Sequence, residues 1–214
     1  MPSAPVELLQ RIQPYSALAE KLGALQSQLC DGGIERVTIE YKGDVANESV
    51  ALITPALLKG LLAPILEDTV NSVNAPVIAK ERGIEVKEVR SRDAGDFTSL
   101  IRVVVDAAKK SATVAGTLFG RKDPRIVEVN RFEVDFDPRG HLLFILNEDQ
   151  PGVIGMVGRI VGEHGINIAR MECARVGQGG VALLILSLDS QAPDAVLDAI
   201  RNGTNIQFAK CLQL

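Results

Sequence analysis

The stretch from His141 to Arg175, HLLFILNEDQPGVIGMVGRIVGEHGINIARMECAR, restricts the fold more than any other part of the chain. His141 to Leu146 is an apolar run of strand length. Asn147-Glu148-Asp149-Gln150-Pro151-Gly152 breaks it with turn chemistry. Val153, Val157, Ile160, Val161 and His164 then recur at helical spacing, which predicts a helix over 153–164 with one stripe against a sheet. Gly165 stands where a helix ends in a left-handed residue, and Ile166-Asn167-Ile168 opens a further strand. Pro151 removes a donor, Gly152 exposes backbone, and the helix start offers free N–H groups to a carboxylate. Asp149 can hold an ammonium group, and Asn147 and Asn167 supply amide donors and acceptors. Carboxylate-binding amides beside one acid suit a free amino acid. A capped β-to-α turn with solvated polar residues explains the same spacing without a ligand.

The strands and helices after this stretch complete a βαββαβ order. Ile168 to Ala174 is a strand, Gly177-Gln178-Gly179-Gly180 a hairpin turn and Val181 to Leu188 a strongly apolar strand. Pro193 starts a helix carrying Val196, Leu197 and Ile200, Asn202-Gly203 ends it, and Ile206 to Leu212 is the last strand. This is a ferredoxin-like split unit of marginal size for standing alone. Its second sheet face or an edge strand is expected to meet another copy, giving a homodimer.

The preceding residues read as helices and then strands. Val6 to Ile12 predicts a short helix. Pro14 fits the first turn of a second one, with Leu18, Leu22, Leu25 and Leu29 in a stripe ended by Asp31-Gly32-Gly33. Ile34 to Tyr41 alternates, with Val37, Ile39 and Tyr41 on one face. Glu48 to Ile53 is a strand or a loop. Thr54 and Pro55 then cap and start a helix through Leu57, Leu58, Leu61, Leu62, Ile65 and Leu66, kinked at Pro64. Asn74 caps a helix over 75–82, closed by Gly83. Stretches 84–89, 98–105, 112–119 and 125–132 are β-rich and predict an antiparallel meander with helices on one face. Lys109-Lys110 reads as a hairpin tip. Asp135 to Gly140 reads as a linker or turn, which places a domain boundary at 137/138. The fold class is therefore α+β, an antiparallel sheet-and-helix domain (1–137) followed by the βαββαβ domain (138–214).

Composition excludes several function classes. A net charge of −4 over 214 residues gives no basic footprint for nucleic acid. No apolar run reaches the roughly 18 residues of a membrane span, and no signal-peptide pattern opens the chain. Cys30, Cys173 and Cys211 fit neither a disulfide framework nor a metal site, so a reducing cytoplasm is the simpler setting. Aromatics are only 4% of the chain, so the core must be aliphatic. His141 and His164 have no nucleophile partner in view, and no catalytic or metal-ligating residue is expected. The abrupt opening MPSAPVELLQ, with no G-x-G-x-x-G behind a strand, is expected of a part of something longer.

NEDQPGVIGMVGRIVGEHGINIARMEC resembles the first half of an ACT domain, a small-molecule sensor attached to amino-acid enzymes. With PYSALAEKLGALQSQL, VNSVNAPVIAKERGI, GTLFGRKDPRIVEVN and GTNIQFAKCLQL, nearly the whole chain is similar to the C-terminal regulatory part of the long-form D-3-phosphoglycerate dehydrogenase family. The resemblance implies an allosteric substrate-binding (intervening) domain followed by the ACT domain. It also implies L-serine bound at a two-fold interface, between the loop after the first strand of one subunit and the helix of its neighbour. By position it assigns Asn147, Asp149, Gly152, Val153, Ile154 and Asn167 to that ligand. Asn147 departs from the His or Tyr of relatives, which leaves serine and another small amino acid both open. NAD is implied only for a catalytic part outside this chain, and no cofactor within it. An anion or phosphorylated substrate is implied for the intervening domain. Arg90, Arg92, Arg102 and Arg131 are candidates there, with Arg121-Lys122 as others, because guanidinium geometry suits phosphate.

Two alternatives stay open. One is an oligomerisation scaffold with no ligand response. The other is a dinucleotide-binding enzyme, drawn from Gly152, Gly155 and Gly158 after a strand and Glu172 beyond them, though the spacing is G-x-x-G-x-x-G.

Overall fold

The structure, a computed structural model, describes residues 6–30, 32–66, 69–108, 110–120 and 122–214. It divides into two compact units, Met1–Asn130 and Arg131–Leu214. Both are mixed α and β.

The first unit opens with one helix, α1 (Val6–Leu29), where two are expected from the sequence. Pro14 lies inside it. The hydrogen bond that proline forfeits is the one to the carbonyl of Gln10, an exposed residue. Leu18, Leu22 and Leu25 are fully buried, while Leu29 is only half-buried. Asp31, expected to help end this helix, lies outside the described residues.

Strand β1 (Ile34–Gly43) buries Val37, Ile39 and Tyr41 as its alternation predicts. Two short 3-10 turns, Asp44–Asn47 and Val50–Leu52, follow and resolve the strand-or-loop alternative in favour of a loop. Helix α2 (Thr54–Leu62) carries Leu57, Leu58, Leu61 and Leu62 into the core and stops there. Pro64 terminates this helix and does not kink it, and Ile65 is left exposed. Helix α3 (Ala75–Glu81) ends before Gly83, whose φ is +73°. Asn74 makes no cap to it. Asn71 does the local work instead, its Oδ1 accepting the N–H of Val73 at 2.8 Å and of Asn74 at 3.0 Å.

The remaining strands of this unit are β2 (Glu85–Ser91), β3 (Ser99–Ala107), β4 (Ser111–Phe119) and β5 (Asp123–Val129), in the spatial order β2-β1-β3-β4-β5. Within the first unit the expected meander runs through β3, β4 and β5. β2 pairs parallel to β1, with Val37 opposite Val86 and Tyr41 opposite Arg90. A parallel partner needs a crossover of about a dozen residues or more, and the segment carrying α2 and α3 supplies it. β2 is an edge strand with no buried residue, so it carries no alternation from which its partner is legible. Lys109 lies outside the described residues, and Lys110 N–H donates to Ala107 O at 3.2 Å in the turn beside it.

Helix α1 is fixed to the sheet by a polar contact as well as by leucines. Gln26 is fully buried, and its Nε2 donates to the carbonyls of Val103 at 2.8 Å and Ala112 at 2.9 Å. Gln26→Leu removes both donors and leaves two buried acceptors short of a partner. The expected cost is about 1–3 kcal/mol, read as a lower denaturation midpoint with an unchanged m-value.

In the second unit, β6 (Phe132–Phe136) precedes a turn at Gly140, so Asp135 and Phe136 belong to a strand and not to a linker. The boundary expected at 137/138 falls just after this strand. Strand β7 (His141–Glu148), helix α4 (Val153–Glu163), strands β8 (Ile168–Arg175) and β9 (Val181–Leu188), helix α5 (Asp194–Arg201) and strand β10 (Ile206–Gln213) follow. Their order is β10-β7-β9-β8, all pairs antiparallel, which is the ferredoxin-like arrangement.

Leu143, Ile145, Leu184, Leu186 and Ala209 form one core with Val153, Val157, Val161, Val196 and Ile200 of the helices. His164 does not join it. It is exposed just beyond α4, its Nδ1 2.8 Å from the Ile160 carbonyl oxygen. The opposite sheet face is also buried within the chain, at Leu142, Phe144, Leu183, Ile185 and Leu212. Phe136 packs edge-on against Phe144, ring centroids 5.7 Å apart. That face, expected as one place where a second copy would meet the domain, is therefore not left open.

Candidate functional site

β7 runs two residues further than its apolar run predicts, and this sets the site. Asn147 shares the helix-side face with Leu143 and Ile145 by strand alternation, and it is only 3% exposed. Its Nδ2 donates to Glu148 O at 2.7 Å, while its Oδ1 is buried with no partner. A buried acceptor without a donor is costly, and it marks a place where a ligand donor is favoured. The loop is pinned on both sides, Glu148 N–H to Asn205 O at 2.9 Å and Asp149 N–H to Gly180 O at 2.8 Å. Gly152 precedes α4 with φ +94°, a conformation costly for other residues, and no side chain caps the helix. The first N–H groups of α4 are thus left for solvent or an anion. Val153 is buried and Ile154 is 49% exposed beside them.

The other two polar residues already have protein partners. Asp149 Oδ2 accepts from Arg175 Nη1 at 3.1 Å and from Gly179 N–H at 3.4 Å. Asn167 Nδ2 donates to Asp189 Oδ2 at 2.8 Å. Asn167 also lies at the other end of the sheet. Asn147 stands opposite Ala182, whereas Ile168 stands opposite Leu188. The length of β9 between them is roughly 20 Å. One chain therefore brings Asn147, Asp149, Gly152, Val153 and Ile154 together and leaves Asn167 apart.

Of the candidate arginines, Arg90, Arg92 and Arg102 lie in the first unit and Arg131 opens the second. Arg102 is held by Glu128 through contacts of 2.5 and 2.6 Å from Nη2. Arg131 stacks over the Phe132 ring at 5.4 Å. Arg90 and Arg92 are exposed at the end of β2. Arg121 lies outside the described residues, and Lys122 borders a surface groove with Gln10, Gln13, Pro14 and Ala17.

A polar network beside Arg90 has no counterpart among the residues singled out from the sequence. Tyr41 OH lies 2.9 Å from Thr54 Oγ1, which also donates to Glu88 Oε1. Thr54 is thereby turned away from capping α2. Burial is the largest cause pushing the Tyr41 phenol well above its ordinary value, so it stays neutral as donor or acceptor. Its sequence signal is Glu88, an exposed residue of β2 that stands opposite the buried Ile39.

The dinucleotide alternative fails on topology. After α4 the chain enters β8, which pairs with β9 and not with β7, so β7 and β8 are not the adjacent parallel strands of a dinucleotide-binding β-α-β unit. A Cβ on Gly155, Gly158 or Gly162 meets nothing within 4 Å, so these glycines do not serve packing on the sheet either. Among the described residues no group of three or more His, Cys, Asp or Glu is placed to hold a metal, and no helix is long and apolar enough to cross a membrane.

Two family models match this architecture, the D-3-phosphoglycerate dehydrogenase intervening domain over residues 11–130 and the ACT domain over residues 141–202. The chain belongs to the D-3-phosphoglycerate dehydrogenase intervening-domain family and carries an ACT domain after it. It is 40% identical over 214 residues to D-3-phosphoglycerate dehydrogenase of Methanocaldococcus jannaschii, covering all of this chain and 40% of that protein. With the Bacillus subtilis protein of the same name identity is 39%, over all of this chain and 41% of that one. The Mycobacterium tuberculosis protein of that name is 32% identical over 193 residues, 89% of this chain and 37% of the relative. The chain thus spans about two-fifths of the length of these relatives. Within this family the intervening domain is the sheet-and-helix unit, and the ACT domain supplies β7, α4 and the site beside them.

Proposed function

We propose that this chain is the regulatory region of a D-3-phosphoglycerate dehydrogenase and senses L-serine, or a closely similar small amino acid, between two copies of its ACT domain. The observation that carries this is the division of the ligand set. Asn147, Asp149 and the start of α4 lie at one sheet end and Asn167 at the other, with the open glycines Gly155, Gly158 and Gly162 along the helix between them. A two-fold pairing with α4 antiparallel to its counterpart sets the start of one helix against the far end of the other. The serine carboxylate then meets the free N–H groups of α4, and its ammonium meets Asp149 and the unpartnered Oδ1 of Asn147. The NAD-dependent chemistry belongs to the part of the enzyme that this chain does not span. Serine acts on it through a coupling of about 1–3 kcal/mol between paired and relaxed states. Arg90, Arg92 and Arg131 are exposed and remain anion candidates with Lys122, whereas Glu128 neutralises Arg102.

The scaffold reading is favoured by one observation, that Asp149 and Asn167 both have partners within their own chain. Isothermal titration of the chain with L-serine, glycine and L-alanine separates the two. The sensor gives saturable heat with serine and a stabilised dimer in sedimentation. A dimer indifferent to all three amino acids at millimolar concentration is the scaffold.

A further inference from the structure

The hairpin between β8 and β9 reaches over the candidate ligand site. Gly177 and Gly179 adopt φ values of +106° and +76°, which fold the turn tightly. Gly180 O takes the Asp149 N–H, Gly179 N–H points at Asp149 Oδ2, and Arg175 places Nη1 3.1 Å from the same oxygen. The Asp149 side chain is 24% exposed and that of Arg175 58%. The carboxylate is thus sheltered beneath the hairpin while its guanidinium partner can swing into solvent.

Resting on the serine site proposed above, we infer that Arg175 is a gating residue whose guanidinium occupies the ammonium position on Asp149 until a ligand displaces it. The exchange is one cation for another at a single carboxylate. An ammonium enters, a guanidinium leaves, and no net charge is gained. Cys173 reports the field of this pair, its thiol pushed up first by burial, then by Asp149, with Arg175 opposing.

Two consequences follow from the exchange. Ligand affinity is lowered by whatever the Arg175–Asp149 pair contributes, which for a partly exposed pair amounts to about two- to five-fold. Affinity in the native chain is also nearly independent of ionic strength, because the broken and the formed ion pairs are screened alike. Removing the guanidinium leaves a bare attraction between Asp149 and the ammonium, which salt weakens.

The test is serine titration of the full chain and of Arg175→Gln, each at about 20 mM and 500 mM salt, where screening differs several-fold. Arg175→Gln is expected to bind serine about two- to five-fold tighter at low salt and to lose that gain at high salt. Arg175→Lys, which keeps a cation there, is expected to restore the flat salt response. Equal or weaker binding by Arg175→Gln with an unchanged salt response overturns the gate while leaving the serine site standing. No serine binding by the native chain overturns the site itself, and the gate with it. Unchanged thermal unfolding of the variants separates either result from misfolding.

Discussion

Gly60→Ala is expected to unfold the first unit at ordinary temperatures or to lower its melting temperature by on the order of 10 °C or more. A Cβ at Gly60 lands 2.0 Å from Glu20 O, and one at Gly23 lands 2.1 Å from Leu57 O and 2.7 Å from Leu61 N. Both collisions are with backbone, so no rotamer change relieves them. α1 and α2 must move apart by about 1 Å or more, which opens gaps among Leu22, Leu25, Leu57 and Leu61, all fully buried. Overpacking relieved by side-chain shifts costs about 1–3 kcal/mol, and a backbone collision lies above that range. Total stabilities run near 5–15 kcal/mol, so the loss is a large share. Gly23→Ala should behave the same way. Gly155→Ala on α4 is the control, because its Cβ meets nothing. Calorimetry should show the first unit failing in the two former variants and no loss of folding in the last.

Asn167→Ala is expected to weaken serine binding by about 10- to 100-fold while leaving the fold of the chain intact. The residue is exposed and its one side-chain bond, to Asp189, is at the surface. Truncation therefore costs little stability. The binding loss is large because an amide donor to a charged ligand group, once removed, leaves that group desolvated and unpaired. What makes the result informative is distance. Asn167 lies at the opposite sheet end from Asn147, a separation of roughly 20 Å along β9 in its own chain, so an effect on binding there points to a second copy as the donor. Titration calorimetry with unfolding scans measures both quantities.

The second unit was more legible in the sequence than the first, and the reasons are physical. β9 is almost wholly apolar because it is buried on both faces, and α4 shows its buried stripe at Val153, Val157, Ile160 and Val161. Both patterns are local. The first unit depends on features that only tertiary context decides. Pro14 lies within a helix, four residues after the exposed Gln10 whose carbonyl loses its partner, whereas Pro64 ends one. β2 has no buried face, so nothing in its residues announces a parallel partner. Thr54 reads as a cap, yet Tyr41 and Glu88 claim its hydroxyl. Gly23 and Gly60 look like weak helix residues until the two helices are seen to cross there.

At the candidate site the residue types were legible and their grouping was not. Asn147, Asp149 and Gly152 follow one another and stay together. Asn167 follows the helix, and a helix plus a strand start carries it to the far end of the sheet. The engagement of Asp149 by Arg175 depends on a hairpin closing 26 residues later in the sequence, which no local pattern announces.

The shared-site account is tested most directly by mixing two defective chains, Asp149→Ala and Asn167→Ala, each expected to bind serine poorly alone. If each site takes Asp149 from one copy and Asn167 from the other, a mixed pair contains one site with both residues intact. Co-expression in equal amounts should then restore about a quarter of the native binding capacity at native affinity, since half the pairs are mixed and each holds one of two sites. A mixture that binds no better than its components contradicts a site built across two copies.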